Sequence, residues 1–137
     1  MTVEDRLIFT NPHTLTPPRG YSHLARVSGG NLLFISGQVG MDPKALKAPA
    51  GDFATQTDNV FANLQSAIVA AGGAFADIAK LNIYIVDTVA RNELAPLLTA
   101  INRYSGSRPP PASTLLYVSG LIAPEWLIEI EAIAVVA

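Results

Sequence analysis

The chain has 137 residues, enough for one domain with a single ordinary core and without need of a second. Half of the residues are hydrophobic and 15% are charged, with a mean hydropathy of +0.33, whereas about 25% of the residues of a typical soluble domain carry charge. The net charge is −2 and the nine Lys and Arg residues are scattered, so we expect no stable complex with RNA or DNA.

The first part of the chain predicts short strands separated by loops. Residues 6–9 form a candidate strand, and Pro17 and Pro18 then predict an irregular loop because proline cannot donate a backbone hydrogen bond. Apolar runs at 24–28 and 32–36 follow as strands. They are joined by Gly29-Gly30-Asn31, a sequence typical of a β-hairpin turn.

The middle of the chain predicts a helix, a strand and a second helix. From Phe53 onward apolar residues recur at helical spacing, and Gly72 stands where a left-handed C-terminal cap belongs. Residues 78–86 alternate as a strand does. A second helix is expected to begin near Pro96, which suits a first helical turn, and to end before Ser105-Gly106.

The last two predicted strands, 113–118 and 127–135, complete an α+β pattern in which both helices cover one face of a mixed sheet. The final strand has two different faces. One carries Ile128, Ile130, Ala132 and Ala134, and the other carries Glu129, Glu131, Ile133 and Val135. A face that mixes carboxylates with Ile and Val is better suited to a subunit interface than to open water, so we expect an oligomer.

Several classes of site and location are disfavoured by composition. The chain has no cysteine, and neither His13 nor His23 stands beside a carboxylate cluster, so we expect no metal site. No stretch approaches the ~18 consecutive apolar residues of a spanning helix. The N-terminal residues lack the apolar core of a signal peptide, so we expect a cytoplasmic protein without membrane association.

Short motifs in a consistent order resemble the RidA (YjgF) family, part of which carries the label endoribonuclease L-PSP. They span nearly the whole chain and comprise Gly20-Tyr21-Ser22, Ser36-Gly37-Gln38, Gln56, Asn63-Leu64, Ala70-Ala71-Gly72, Lys80, Asp87, Pro111-Ala112 and the segment from Ile128 to Ala134. The resemblance implies a chorismate-mutase-like fold and a homotrimer whose sheets pack into a central barrel. It also implies three small-molecule clefts at the subunit interfaces.

Deaminase members of that family hydrolyse reactive enamines or imines derived from amino acids, without a metal or another cofactor. By position, the resemblance implies that Glu129 orients or activates the water and that Tyr21 lies in the cleft. A carboxylate held among apolar groups at an interface is suited to proton transfer near neutral pH. The resemblance further implies ligand contacts from backbone groups at Ser36 and Gly37 and near Thr114 and Leu115.

One position departs from the deaminase pattern. In those members an arginine that binds the substrate carboxylate follows the Pro-Ala pair, and here Ser113 follows Pro111-Ala112. A hydrogen bond to a charged group contributes about 1.5–3 kcal/mol, so its loss predicts roughly ten- to hundredfold weaker carboxylate binding. Arg19 and Arg108 are the candidate substitutes, because both lie in loops near the expected cleft.

Three functions follow from these observations. The first is a hydrolytic deaminase of altered specificity that acts on an imine- or ketone-like metabolite. The second is a trimeric binding or regulatory protein that retains the cleft without the reaction. A ribonuclease is the weakest alternative, because a histidine acid/base pair and clustered basic residues are missing.

Overall fold

The computed structural model describes residues 1–137 and contains three α-helices and six strands. In chain order these are α1 (Val3–Arg6), β1 (Leu7–Thr10), β2 (Leu24–Val27), β3 (Asn31–Val39), α2 (Phe53–Ala70), β4 (Ile78–Val86), α3 (Ala95–Ser105), β5 (Ala112–Val118) and β6 (Ile128–Val136). Single 3-10 turns lie at Phe75–Asp77 and Arg91–Glu93. The predicted strand 78–86 is confirmed at both ends, and both predicted helices are present.

Helix α2 begins and ends where the sequence predicts. The side chain of Asp52 accepts a hydrogen bond from the backbone N–H of Thr55 at 3.0 Å and caps the first turn. Gly72 follows the last turn with a φ of +79°, a conformation that glycine adopts without a steric penalty. The last helical residue is Ala70, and the predicted glycine follows the C-cap residue Ala71.

Four strands form one mixed sheet in the order β3-β6-β4-β5. β6 pairs antiparallel with both β3 and β4, whereas β4 and β5 are parallel and α3 lies in the connection between them. β1 and β2 form a separate antiparallel pair. This arrangement confirms the predicted mixed sheet of the chorismate-mutase-like fold.

Both long helices pack on the same face of the four-stranded sheet, as predicted. The core contains Val60, Phe61, Leu64 and Ile68 of α2, Leu97, Ala100 and Ile101 of α3, and Leu81, Ile83, Ile85, Ile128, Ile130, Ala132 and Ala134 of the sheet. Every second residue of β6 from Ile128 to Ala134 is thus buried under the helices. None of the helices combines the length and the apolar character needed to cross a bilayer.

The opposite face of the sheet, called here the uncovered face, has neither α2 nor α3 over it, and the N-terminal segment covers it only at Val135 and Ala79. It exposes large apolar side chains, with Leu32 60%, Phe34 71% and Leu116 49% exposed. Glu129 and Glu131 lie on the same face and are half-buried. Exposed apolar side chains of this size at both edges of one sheet face are typical of an interaction surface.

The predicted hairpin between residues 24–28 and 32–36 is wrong. β2 pairs with β1, and β3 pairs with β6 in the other sheet. Gly30 does adopt a φ of +90°, but a Cβ there would lie 2.6 Å from the carbonyl oxygen of Val136. The glycine turn is therefore packed against the end of β6, and it leads the chain from one sheet to the other.

The N-terminal segment is attached to the sheet through a buried ion pair. Arg6 donates to a carboxylate oxygen of Asp77, and its Nε donates to the carbonyl oxygen of Val135 at 3.0 Å. The second oxygen of Asp77 accepts a hydrogen bond from the backbone N–H of Ala74 at 2.8 Å. The two charges are thus compensated and hydrogen-bonded, as buried charges must be.

Candidate functional site

The loop before β2 is attached to the start of β5. The hydroxyl of Ser22 donates to the carbonyl oxygen of Pro110 at 2.6 Å, and the backbone N–H of Ser22 donates to the carbonyl oxygen of Pro111 at 3.1 Å. Ser22 also forms an isolated parallel bridge with Ala112. Tyr21, the residue before Ser22, is therefore held next to the start of β5.

Gly20 brings the same loop against α3. Its φ is +73°, and a Cβ at this position would lie 2.8 Å from Cδ2 of Leu98. A larger residue would be strained and would collide with the helix. This contact places Arg19 and Tyr21 on either side of Gly20, over the space between α3 and β5.

That space is a pocket of about 260 Å³, called here the Ser113 pocket. Its lining residues are Arg19, Gly20, Tyr21, Ile83, Leu97, Leu98, Ile101, Ser113 and Leu115. Three residues that the family resemblance assigns to the cleft, Tyr21, Ser113 and Leu115, are thus brought together, and Arg19 joins them. Most of the remaining surface is apolar.

The two arginine candidates differ in their surroundings. Arg19 is exposed, lines the Ser113 pocket and forms no ion pair within the chain. Arg108 lies outside that pocket, where Nη2 donates to the carbonyl oxygen of Leu7 at 3.0 Å and Nη1 lies 3.3 Å from Glu4 Oε1. Its guanidinium also lies 5.6 Å from the centre of the Phe9 ring. Arg108 therefore holds the N-terminal segment, and only Arg19 is placed to reach a ligand in the pocket.

Ser36, Gly37 and Glu129 lie together on the uncovered face. The register of β3 with β6 shifts between Ile35 and Gln38, so Ser36 and Gly37 form a bulge next to β6. A Cβ on Gly37 would lie 2.0 Å from Glu129 Oε2, which shows that the carboxylate rests directly on the glycine. Glu129 makes no hydrogen bond within the chain, so its oxygens are available to a ligand or to water.

A polar cluster beside Glu129 was not predicted as a unit. Tyr84 Oη donates to Glu131 Oε1 at 2.6 Å, and Asn82 Nδ2 donates to the same oxygen at 3.2 Å. The hydrogen bond to Glu131, assisted by burial and by the negative charges of Glu131 and Glu129, raises the pKa of Tyr84. The alternation of Asn82 and Tyr84 with buried residues indicates that both lie on the uncovered face. The contact of Tyr84 with Glu131, which lies diagonally across the strand pair, can be found only from the strand register.

Thr114 belongs to the uncovered face and not to the Ser113 pocket. It is paired in register with Asn82, and Lys80 Nζ donates to its hydroxyl at 2.8 Å. Ser113, one residue earlier, is paired with buried Leu81 on the helix side. The predicted site residues therefore form two groups on opposite faces of the sheet, and one chain alone does not bring Glu129 to the Ser113 pocket.

The mixed sheet, the helices on one face and the pocket beside β5 define a chorismate-mutase-like α+β protein. The family model for endoribonuclease L-PSP matches residues 12–136. The chain therefore belongs to this family, which also includes the RidA and YjgF proteins.

Comparison with known proteins agrees with this assignment. A RutC family protein of Pyrococcus horikoshii is 37% identical over 108 residues, which cover 79% of this chain and 82% of the relative. The crystal structure of the Rid family protein YyfB from Yersinia pestis, described as a protein of unknown function, matches with a TM-score of 0.89 and 33% identity, covering 96% of this chain and 99% of that one. A 2-iminobutanoate/2-iminopropanoate deaminase of Dermatophagoides farinae is 30% identical over 78 residues, covering 57% of this chain and 59% of the relative.

Proposed function

We propose that this protein is a cytoplasmic homotrimer with a small-molecule cleft at each subunit interface, and that the cleft hydrolyses an imine-like metabolite. The observation that carries the proposal is the separation of the site residues onto two faces of one sheet. Ser113, Tyr21 and Leu115 line the pocket behind β5, whereas Glu129 rests on Gly37 on the uncovered face. A second copy that packs its own Ser113 pocket against that face can receive Glu129 from the first copy.

The apolar character of the uncovered face supports self-association. Leu32, Phe34 and Leu116 are about half or more exposed in one chain, and burying such side chains contributes about 25 cal/mol per Å². The charged residues there are few, and Glu131 is already hydrogen-bonded by Tyr84 and Asn82. An identical chain is the simplest partner, because most soluble oligomers are closed and symmetric.

The reaction needs only positioning and a base. Water adds to the C=N carbon and one of its protons passes to the nitrogen, which gives a carbinolamine. The hydroxyl proton of the carbinolamine then passes to the nitrogen as the C–N bond breaks, ammonia leaves and the C=O bond forms. In this proposal Glu129 accepts a proton from the attacking water and returns it to the leaving nitrogen. Tyr21 contributes a hydroxyl at the pocket, and the deaminase named among the relatives supports this class of reaction.

Subunit mixing tests the shared cleft directly. Glu129→Gln removes the base from one half of the cleft, and Ser113→Trp fills the other half. Each variant alone should release no ammonia from imino acids generated by an amino-acid oxidase. Equal amounts of the two variants, dissociated and reassembled together, should regain about one quarter of the wild-type rate. The Glu129 and the Ser113 pocket of each cleft come from two chains that combine at random, so about one cleft in four is wild type at both positions. Unchanged inactivity of a mixture with confirmed mixed trimers would refute the composite cleft.

The presence of Ser113 favours a second candidate, a trimeric binding or regulatory protein without the reaction. Serine offers one hydroxyl where arginine offers a planar set of charged donors. The two candidates differ in one measurement on the wild-type protein. Ammonia release above the uncatalysed rate across a panel of imino acids supports the deaminase, whereas saturable ligand binding without such release supports the binding protein.

A further inference from the structure

We infer that Gln56 is a positioning residue for Glu129, and that Asn59 and Asn63 assist it. The three side-chain amides hold the end of β3 and the start of β6 from the helix side, and so fix the Glu129 carboxylate on Gly37. In the proposed function Glu129 is the base, so the catalytic part of this role rests on that proposal. Gln56 and Asn63 belong to the motifs that resemble the RidA family, and neither lines the pocket beside β5.

Gln56 is fully buried in α2, and its side-chain amide binds two loops. Nε2 donates to the carbonyl oxygens of Pro49 and Glu125 at 2.9 and 2.8 Å, and Oε1 accepts a hydrogen bond from the backbone N–H of Leu127 at 2.9 Å. A glutamine amide has two hydrogens and one acceptor oxygen, so both hydrogens and the oxygen are used here. Loss of this amide would leave buried backbone groups of both loops without a partner.

The segment 119–127, which joins β5 to β6, depends on Gln56 for its position. Three hydrogen bonds attach this segment to the rest of the chain, and Gln56 makes two of them. In the third, the backbone N–H of Val86 donates to the carbonyl oxygen of Leu127 at 3.0 Å. Glu129 follows Leu127 by two residues, so the attachment of Leu127 to α2 determines where β6 begins.

The end of β3 packs against the same glutamine. Val39 is paired in register with Glu129, and Gly40 follows it. A Cβ on Gly40 would lie 2.5 Å from the Cβ of Gln56, so only glycine allows the chain to come this close to the helix. Gln56 therefore contacts the residue next to the partner of Glu129 as well as the segment that precedes β6.

Two asparagines extend this attachment along α2. Asn59 and Asn63 follow Gln56 at positions i+3 and i+7, so the three amides lie on one face of the helix. The Nδ2 atoms of the two asparagines donate to the carbonyl oxygens of residues 39–41 at 3.1, 3.0 and 2.9 Å. Glu129 therefore lies where two backbone segments meet, and α2 holds both of them.

Gln56→Met tests this role, because methionine has a similar volume and offers no hydrogen-bond donor. A displacement of about 1 Å can reduce a rate about 100-fold, so kcat should fall about 10- to 100-fold with an unchanged KM. The substrate is an imino acid that the wild type hydrolyses. As the base moves off Gly37, the acid limb of the pH–rate profile should also shift, whereas a loss of folded protein lowers the rate without moving that limb.

Gln65→Met is the matched control. Gln65 lies on the same helix, but its amide bonds to neither segment and faces a groove that also contains Arg103 and Tyr104. The substitution should leave kcat, KM and the pH–rate profile unchanged. Wild-type kcat in Gln56→Met together with an inactive Glu129→Gln variant would overturn the role. A raised KM at unchanged kcat would also overturn it, because that result indicates a loss of ligand binding.

The fluorescence of Trp126 tests the attachment without any activity. Trp126 is the only tryptophan of the chain, and it lies between Glu125 and Leu127, the two residues whose backbone Gln56 binds. Its indole nitrogen is buried. Acrylamide should therefore quench the fluorescence more strongly in Gln56→Met than in Gln65→Met. Equal quenching in the two variants would contradict the attachment.

Crystal structures separate this role from the proposed reaction. If the wild type hydrolyses no imino acid, the reaction falls, and the position of Glu129 in Gln56→Met still decides the role. A carboxylate displaced from Gly37 supports it, and an unmoved carboxylate overturns it. If Gln56→Met does not fold, Asn63→Ala at a partly buried position takes its place. That variant should displace the carboxylate and lower kcat about 10-fold, and wild-type values of both would overturn the role.

Discussion

Gly37→Ala is the substitution that should separate the position of Glu129 from its chemistry. The φ of Gly37 lies outside the left-handed region, so alanine can adopt the same backbone conformation. Its Cβ would, however, lie 2.0 Å from Glu129 Oε2 and 2.8 Å from Glu129 Cδ. An ordinary contact begins at 3.4 Å, so the carboxylate oxygen must move by at least 1.4 Å.

The cost of that movement should appear in the rate and not in the stability. Glu129 is half-buried and free of hydrogen bonds, so even a side-chain torsion held about 30° from its preferred rotamer costs only about 0.5–1.5 kcal/mol. A displacement of about 1 Å of a reacting group can reduce a rate about 100-fold. We therefore expect kcat to fall about 100-fold for whichever imino acid the wild type hydrolyses, with only a small shift in Tm.

Gly120→Ala is the matched control, because a Cβ there meets nothing within 4 Å. It should leave both kcat and Tm unchanged. A crystal structure of Gly37→Ala should show the Glu129 carboxylate displaced, and this readout does not depend on activity. Wild-type kcat in Gly37→Ala together with an inactive Glu129→Gln variant would refute the reasoning, as would an unmoved carboxylate.

Two further predictions concern buried and hydrogen-bonded charges. Asp77→Ala leaves Arg6 buried without its counter-charge, so urea titration should show a loss of about 3–5 kcal/mol in the free energy of unfolding. Asp58→Ala, which removes a solvent-exposed ion pair, should cost at most about 1 kcal/mol, and equal losses for the two variants would contradict this account. The hydrogen bond to Glu131 raises the pKa of Tyr84 in the folded state, so its contribution is present below about pH 10 and is lost as the pH rises through the raised pKa. Tyr84→Phe should therefore lose less stability than the wild type between about pH 9 and pH 12. Parallel plots of the free energy of unfolding against pH for the two proteins would rule out a contribution from this hydrogen bond.

The elements that depend on local pattern could be predicted from the sequence. The alternation over residues 78–86 and the helical stripe closed by Gly72 are decided by neighbours within a few positions, and the structure confirms both. The partner of β2 could not be predicted from local pattern, because β2 pairs with β1 and the proline-rich loop separates the two strands in the sequence. Gly29-Gly30-Asn31 is compatible with a hairpin, but the close approach of Gly30 to Val136 is a tertiary contact that no local pattern reveals.

The candidate site was predictable as a set of residues but not as an arrangement. Ser113 and Thr114 are adjacent in a strand, so period-two alternation already requires them to point to opposite faces. Which face holds the pocket depends on the position of α3 and on the contact between Gly20 and Leu98. The choice between Arg19 and Arg108 likewise required knowledge of where the N-terminal segment lies.

The position of β6 has a consequence for biosynthesis. β6 is the last strand in chain order, yet it lies between β3 and β4 and joins them. Until residues 128–136 have left the ribosome, β3 has no partner in this sheet, and the parallel β4–β5 pair exposes an open edge. Folding of this sheet should therefore wait until β6 has emerged, because contacts of high sequence separation form late. A nascent chain that stalls before β6 would present unpaired strand edges, which makes it a substrate for chaperones or a seed for aggregation.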